Sequence, residues 1–164
     1  LTLDPKVVAG FGLILVPGLA KAAVAGRRTG MTPEESVRLT LDLCTPHPER
    51  LSPEVFEAHV DLTRRRAEMG GWDESFIEAT RTLIAMLLRR FSYDRMISQI
   101  PAPALVVQGR QDRLVSHQAV QRVGCLRPDW EIRILEDVGH IAMLEVPRTF
   151  TDLVRGWLVR AAAA

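Results

Sequence analysis

Two polar residues of this chain, Asp112 and His140, have the side-chain types and positions that proton transfer requires. Each follows a short and mainly apolar run, residues 104–108 for the first and residues 131–135 for the second. A carboxylate that holds one imidazole nitrogen fixes the tautomer of the ring and stabilises the imidazolium, so the other nitrogen can take a proton from a nucleophile. The pair is therefore typical of an orienting acid and a general base.

The two runs predict two parallel strands joined by a helix. The first run is apolar without alternation, as in a strand covered on both faces. In the second, Ile132 and Ile134 alternate with charged residues, as in an edge strand. A crossover of this kind brings the carboxyl ends of both strands to one edge of a sheet, where α/β proteins bind their ligands. We therefore expect Asp112 and His140 to meet at that edge.

The residues around the pair resemble the α/β-hydrolase fold superfamily over roughly residues 95–160. The matching residues are Gly109, Asp112 and Val115 in the pattern G-x-x-D-x-x-V, and Gly139, His140, Glu145 and Pro147 in the pattern G-H-x-x-x-x-E-x-P. The resemblance implies that Asp112 is the acid and His140 the base of a catalytic triad. We expect Glu145 to accept hydrogen bonds near a helix start rather than to react.

The family places its nucleophile upstream of the acid and the base, on a G-x-S-x-G turn between a strand and a helix. None of the six serines has the flanking glycines, and neither Cys44 nor Cys125 lies at such a turn. The chain also opens with Leu1, and two strands make a small parallel sheet. These features predict that the 164 residues are the C-terminal part of a larger hydrolase.

The expected fold class is α/β, the C-terminal part of an α/β-hydrolase parallel sheet. One strand–helix–strand unit and a final helix from Pro147 would form the core in residues 96–164. Residues 1–95 would form a helical segment and a cap, beginning with an apolar helix that starts after Asp4 and breaks at Pro17.

Capping patterns mark the helices of the expected cap. Thr32 and Glu35 form a capping box, Ser52 precedes a proline at a second helix start, and Asp73 starts a third helix. The bulky residues that could touch a substrate are Trp72, Phe76, Met86 and Phe91. The alternative is that each of them only packs the cap.

Composition excludes several classes of function. A net charge of +1 gives no footprint for nucleic acid or an anionic membrane. The four histidines and two cysteines show no metal-ligand spacing, so we expect no cofactor and no metal. Two cysteines far apart in the sequence form no disulfide framework, which favours a cytoplasmic location. The expected partner is a small-molecule substrate. A homodimer, or a separate N-terminal half if the chain is complete at this length, stays open.

The resemblance implies a hydrolase that cleaves an ester, thioester or related bond in a small apolar substrate, with the 164 residues inactive on their own. Two alternatives stay open. One is a non-catalytic binding or interaction protein of the same fold, and the other is a hydrolase of the haloalkane dehalogenase type with an aspartate nucleophile. An upstream G-x-S-x-G or G-x-D-x-x turn would favour an enzyme, and a true start at Leu1 would favour the binding protein.

Overall fold

A computed structural model of the chain describes residues 12, 14–16, 18–69 and 71–163, with the backbone alone for residues 27–29, 87–88 and 90–92. The expected helix start after Asp4, its break at Pro17 and the side chain of Phe91 lie outside this described part. Within the described part of the chain, no helix is both long and apolar enough to cross a membrane.

The chain divides into two compact units. The strand unit comprises residues 42–51 and 94–163, and the helical unit comprises the described residues up to Leu41 together with Ser52–Tyr93. Residues 42–51, which the sequence groups with the helical part, belong instead to the strand unit.

The helical unit is built from helices and the turns that connect them. Its elements are α1 (Leu19–Gly30), most of α2 (Pro33–Cys44), α3 (Pro53–Glu68), α4 (Trp72–Leu88) and the start of α5 (Arg90–Ser98). Ile14, Ala20 and Ile77 form a buried cluster, against which Val24 and Phe76 pack.

Local hydrogen bonds explain where these helices begin. The backbone N–H of Thr32 donates to Glu35 at 2.8 Å and the N–H of Glu35 donates to Thr32 Oγ1 at 3.2 Å, which is the expected capping box. Ser52 caps α3 as expected. Helix α4 begins at Trp72 rather than at Asp73, because Gly71 adopts a φ of 78° that a glycine accepts without strain.

The strand unit contains the parallel pair that the sequence predicts. Its elements are a 3₁₀ helix (Pro48–Arg50), β1 (Leu105–Gly109), α6 (His117–Leu126), β2 (Glu131–Leu135), α7 (Ala142–Glu145) and α8 (Pro147–Ala162). The two strands pair in parallel, with Leu105 opposite Glu131 and Gly109 opposite Leu135. The predicted α/β class is confirmed by this crossover of strand, helix and strand.

Small and apolar residues set the packing of this unit. Ser116 caps α6 by accepting a hydrogen bond from Gln118, and Val120 of the same helix is buried. A Cβ at Gly124 would lie 3.3 Å from Ile132, so a glycine lets α6 approach β2 closely. The carboxyl ends of β1 and β2 consequently lie side by side.

Candidate acid-base site

The turns that follow β1 and β2 are joined by backbone hydrogen bonds. The N–H of Arg110 donates to the carbonyl of Leu135 at 2.9 Å, and the N–H of Gln111 donates to the carbonyl of Val138 at 2.9 Å. These bonds continue the parallel ladder beyond the strands themselves. The turns that carry Asp112 and His140 are therefore fixed relative to each other by main-chain contacts.

The glycines of the two sequence patterns are required by backbone contacts. A Cβ at Gly109 would lie 2.0 Å from the carbonyl oxygen of Gly139 and 2.3 Å from that of Val138. A Cβ at Gly139 would lie 2.6 Å from the carbonyl oxygen of Cys44 and 2.9 Å from the Cα of Thr45. Three stretches of backbone meet here, and neither contact leaves room for a side chain.

Asp112 and His140 form the hydrogen bond that the sequence leads us to expect. Asp112 Oδ2 lies 2.8 Å from His140 Nδ1, and the exposed fractions of the two side chains are 3% and 37%. Among the described residues, no hydrogen-bond partner is seen for the other ring nitrogen, Nε2 of His140. The buried carboxylate thus holds one side of the ring and leaves the other side available.

Every lone pair of the Asp112 carboxylate has a donor. Oδ1 accepts the backbone N–H groups of Leu114 at 2.7 Å and of Val115 at 2.9 Å. Oδ2 accepts His140 and also the side-chain amide of Gln108 at 2.7 Å. An ionised carboxylate offers about four acceptor positions, so this buried group is fully satisfied as an anion.

The backbone of His140 is hydrogen-bonded to residues 42–51, the earlier segment of the strand unit. Its N–H donates to the carbonyl of Cys44 at 2.7 Å. The preceding N–H, of Gly139, donates to both carboxylate oxygens of the buried Glu145 at 3.0 and 3.1 Å. Glu145 therefore accepts a hydrogen bond, as expected from the sequence, and fixes the backbone next to the histidine.

Opposing effects set the charge of the pair. Burial raises the pKa of Asp112, but hydrogen bonds from His140 and from two backbone amides outweigh it, so the pKa of this carboxyl lies below its ordinary value. The hydrogen bond that His140 donates to Asp112 raises the pKa of His140 although burial opposes it, and the charges of Asp112 and Glu145 raise it further. The arrangement favours an ionised acid beside a histidine that protonates readily.

Cys44 lies beside the same carboxylates. Burial raises the pKa of the Cys44 thiol, and the negative charges of Asp112 and Glu145 add to the effect. A raised pKa disfavours the thiolate, which is the nucleophilic form of cysteine. This environment gives no support to Cys44 as a nucleophile.

A second histidine of the strand unit also contacts an aspartate. His47 Nε2 lies 2.7 Å from Asp137 Oδ1, and His47 Nδ1 lies 3.2 Å from Glu49. Arg50 donates to the Asp137 carbonyl at 2.6 Å and also contacts its carboxylate. Asp137 has a φ of 55°, so these contacts hold a left-handed residue in the turn before His140.

The candidate substrate residues lie in the helical unit. The rings of Trp72 and Phe76 stack with centroids 5.3 Å apart, and Phe76 packs against the buried cluster around Ile77. Met86 is partly buried in α4. Contacts of this kind pack a helical unit, and a role of these residues in substrate binding stays a prediction.

Sequence reasoning missed several contacts of the site. The sequence pattern places Gln108 only at the end of a strand, although a polar residue that closes an apolar run is itself a signal that its amide has a specific partner. The carbonyl of Cys44 and the side chain of Arg50 lie about 90 residues before the turn they contact, and no local pattern predicts such contacts.

Comparison with known proteins agrees with the fold. No protein-family model matches the chain. A 2-hydroxy-6-oxononadienedioate/2-hydroxy-6-oxononatrienedioate hydrolase from a Pseudomonas species is 26% identical over 126 residues, which are 77% of this chain and 42% of that relative. A hydrolase of the same description from Dechloromonas aromatica (strain RCB) is 30% identical over 110 residues, 66% of this chain and 35% of that relative.

A solved structure shows the same fold. The crystal structure of a mutant meta-cleavage product hydrolase, CumD, superposes with a TM-score of 0.59 at 21% identity, over 77% of this chain and 46% of that chain. The chain has the fold of the C-terminal part of an α/β-hydrolase. It spans about two-fifths of the length of the curated relatives it matches, which are hydrolases of 2-hydroxy-6-oxo dienedioates and trienedioates.

Proposed function

We propose that this chain supplies the acid and the base of a hydrolase that uses a triad of nucleophile, histidine and aspartate. The observation that supports the proposal most is the His140 ring, held through Nδ1 by a buried carboxylate 2.8 Å away and partly exposed on its other side. The nucleophile, and the backbone amides that bind an oxyanion, would lie on a stretch outside these 164 residues.

The proposed chemistry has two proton-transfer stages. In the first, the nucleophile attacks a carbonyl carbon while His140 Nε2 takes its proton, and Asp112 stabilises the imidazolium. His140 then gives that proton to the leaving group. In the second stage a water molecule attacks the acyl intermediate and Nε2 takes a proton from the water. His140 then returns this proton to the nucleophile, which releases the carboxylic acid product and restores the site.

The names of the relatives indicate which type of bond the proposed hydrolase would cleave. A 2-hydroxy-6-oxononadienedioate contains no ester or amide, so its hydrolysis has to break a carbon–carbon bond beside the 6-oxo group. The leaving group is then a carbanion that the conjugated system stabilises, and the proton from His140 would go to carbon. We propose an activated carbon–carbon bond of this type as the substrate class, with esters as the second candidate because a crystal structure described as that of "a putative aryl esterase from Burkholderia cenocepacia" shares the fold.

The test uses the full-length protein with two substrates, a p-nitrophenyl ester and a 2-hydroxy-6-oxo dienoate, followed by absorbance. We expect turnover of both, with the larger kcat/KM for the dienoate. We expect no turnover by the 164-residue chain alone, because an acid and a base without a nucleophile leave little to catalyse. Absence of turnover in the full-length protein would favour the non-catalytic alternative, and activity in the 164-residue chain would place the nucleophile within it.

The remaining expectations stay predictions. A small-molecule substrate is expected from the resemblance, and the lack of a nucleic-acid or membrane partner and a cytoplasmic location are expected from charge and cysteine content alone. The dehalogenase-type alternative depends on the nucleophile, and sequencing the upstream region separates a serine turn from an aspartate turn.

A further inference from the structure

Gln108 makes contacts that the triad chemistry does not by itself require. Its side chain lies in the interior of the strand unit, with 7% of the residue exposed, at the end of the apolar part of β1. The amide nitrogen lies 2.7 Å from Asp112 Oδ2, 3.0 Å from the carbonyl of Val115 and 3.2 Å from the carbonyl of Gly109. The residue thus connects both ends of the turn to the carboxylate inside it.

The chemistry of the partners fixes how the amide is oriented. All three contacts are to oxygens that only accept hydrogen bonds when Asp112 is ionised, so the NH₂ group, and not the amide oxygen, has to face them. The NH₂ group has two protons, and the two shortest contacts, to Asp112 and to Val115, take them most directly. One proton of Gln108 therefore points at the same oxygen that holds His140.

We propose that Gln108 is a positioning residue of the hydrolytic site, which fixes the Asp112 carboxylate and shares Oδ2 with His140. The inference rests on the proposed function, because it concerns the same acid and base. The two turn amides and His140 occupy three of the four acceptor positions of this carboxylate, and the Gln108 amide occupies the fourth. Gln108 thereby aligns the ring through the group that holds it.

The shared oxygen also links Gln108 to the protonation of the histidine. The charged groups of the strand unit that act on the His140 ring are the carboxylates of Asp112 and Glu145. A donor on Asp112 Oδ2 withdraws negative charge from the oxygen nearest the ring. Without that donor, the imidazolium is stabilised more strongly and the ring stays protonated to higher pH.

The test compares two identical substitutions in the full-length protein. Gln108→Met keeps the length of the side chain and removes the donor on Asp112. The matched control is Gln111→Met, three positions away, because the Gln111 amide donates to Asp137 at 3.2 Å and not to Asp112. Both are assayed for kcat/KM across pH and by the proton NMR resonance of the imidazole N–H of His140.

For Gln108→Met we expect a fall in plateau kcat/KM of about ten- to a hundredfold, as for one lost hydrogen bond to a charged group. We also expect the acid limb of the pH profile to move to higher pH and the N–H resonance to move downfield. Gln111→Met should leave the limb and the resonance in place. A purely structural role would lower stability and rate without moving either of them.

A second variant covers the case in which Gln108→Met does not fold. Gln108→Asn keeps an amide but is one methylene shorter, so its NH₂ group no longer reaches Asp112 Oδ2, and the acid limb should again move to higher pH. If His140→Ala abolishes turnover and neither Gln108 variant moves the limb, the positioning role is wrong and the proposed function stands. If His140→Ala turns over like the wild type, the proposed function itself is wrong.

Discussion

The strand unit holds two histidine–aspartate pairs, and they differ in ways that decide what each can do. In the pair of Asp112 and His140 the carboxylate is buried, and Nε2 of the ring is left without a partner among the described residues. In the pair of His47 and Asp137 the carboxylate is 55% exposed and both ring nitrogens are engaged, one by Asp137 and the other by Glu49. Similar hydrogen-bond lengths of 2.7 and 2.8 Å therefore accompany different chemistry.

The comparison shows that proximity of the two groups does not make a proton-transfer pair. A general base needs one nitrogen held in a fixed tautomer and the other open to substrate. His140 meets both conditions. Both ring nitrogens of His47 instead contact carboxylates, and these contacts help to hold the turn before His140 in its left-handed conformation. The first pair is suited to catalysis, and the second pair supports the backbone that presents it.

The largest difference should appear when the carboxylates themselves are neutralised. We expect Asp112→Asn in the full-length protein to lower kcat about a hundred- to ten-thousandfold, because an amide cannot fix the reactive tautomer or stabilise the imidazolium. Asp137→Asn is the matched control and should change kcat by less than about threefold, since asparagine also tolerates the left-handed backbone. Equal losses for the two variants would remove the distinction between the pairs.

Backbone packing around the first pair predicts a loss of stability. Gly109→Ala would force its Cβ into the carbonyl of Gly139, and we expect the free energy of unfolding to fall by at least about 1–3 kcal/mol, as in other overpacked sites. Gly26→Ala, in an open helical position with nothing within 4 Å, should instead raise stability by about 0.5–1 kcal/mol. Denaturant unfolding measures both, and a neutral Gly109→Ala would contradict the close approach of the two turns.

The pH dependence sharpens the comparison further. His140 acts as a base only when neutral, and its pKa is raised by Asp112, so kcat/KM should fall as the pH drops through a midpoint above the ordinary value of imidazole, about 6.5. Because the folded pKa is raised, the stability this histidine contributes is present at low pH and is lost as the pH rises through the same midpoint. Asp112 has a lowered pKa, so its contribution is lost only as the pH falls through that lower value.

The midpoint is measured in the wild type and in Asp112→Asn. We expect the acid limb of the variant, in the activity that remains, to lie at lower pH, since the group that favours the imidazolium has been removed. A limb that stays in place would mean that another group titrates.

The smallest effect is expected at the supporting pair. Arg50→Met removes the contacts of Arg50 to Asp137, one of which is to an exposed carboxylate. Exposed ion pairs contribute little, so the free energy of unfolding should fall only slightly and kcat should stay within about threefold. A large loss of turnover would show that the supporting pair is part of the catalytic machinery.

Much of this fold could be predicted because its signals are local. The apolar runs of β1 and β2, the capping box at Thr32 and the prolines at helix starts each depend on a few adjacent residues. The meeting of Asp112 and His140 followed from the topology of a parallel crossover, which relates residues 28 positions apart.

The missed contacts have a common physical cause. The carbonyl of Cys44 accepts the backbone N–H of His140. Every residue has a backbone carbonyl, so the sequence does not indicate which one will accept this hydrogen bond. Arg50 contacts Asp137 across 87 positions, and both belong to residue types common on any surface. Among the missed contacts, only that of Gln108 had a signal in the sequence, which is an amide residue at the end of an apolar strand, and in the structure this residue is buried.

The most direct test of the central claim is kcat/KM of His140→Ala beside that of His47→Ala in the full-length protein, with the same p-nitrophenyl ester. We expect at least about a thousandfold loss for His140→Ala, from removal of the general base, and a change within about threefold for His47→Ala. Wild-type-like turnover by His140→Ala, or equal losses for the two variants, would contradict the account.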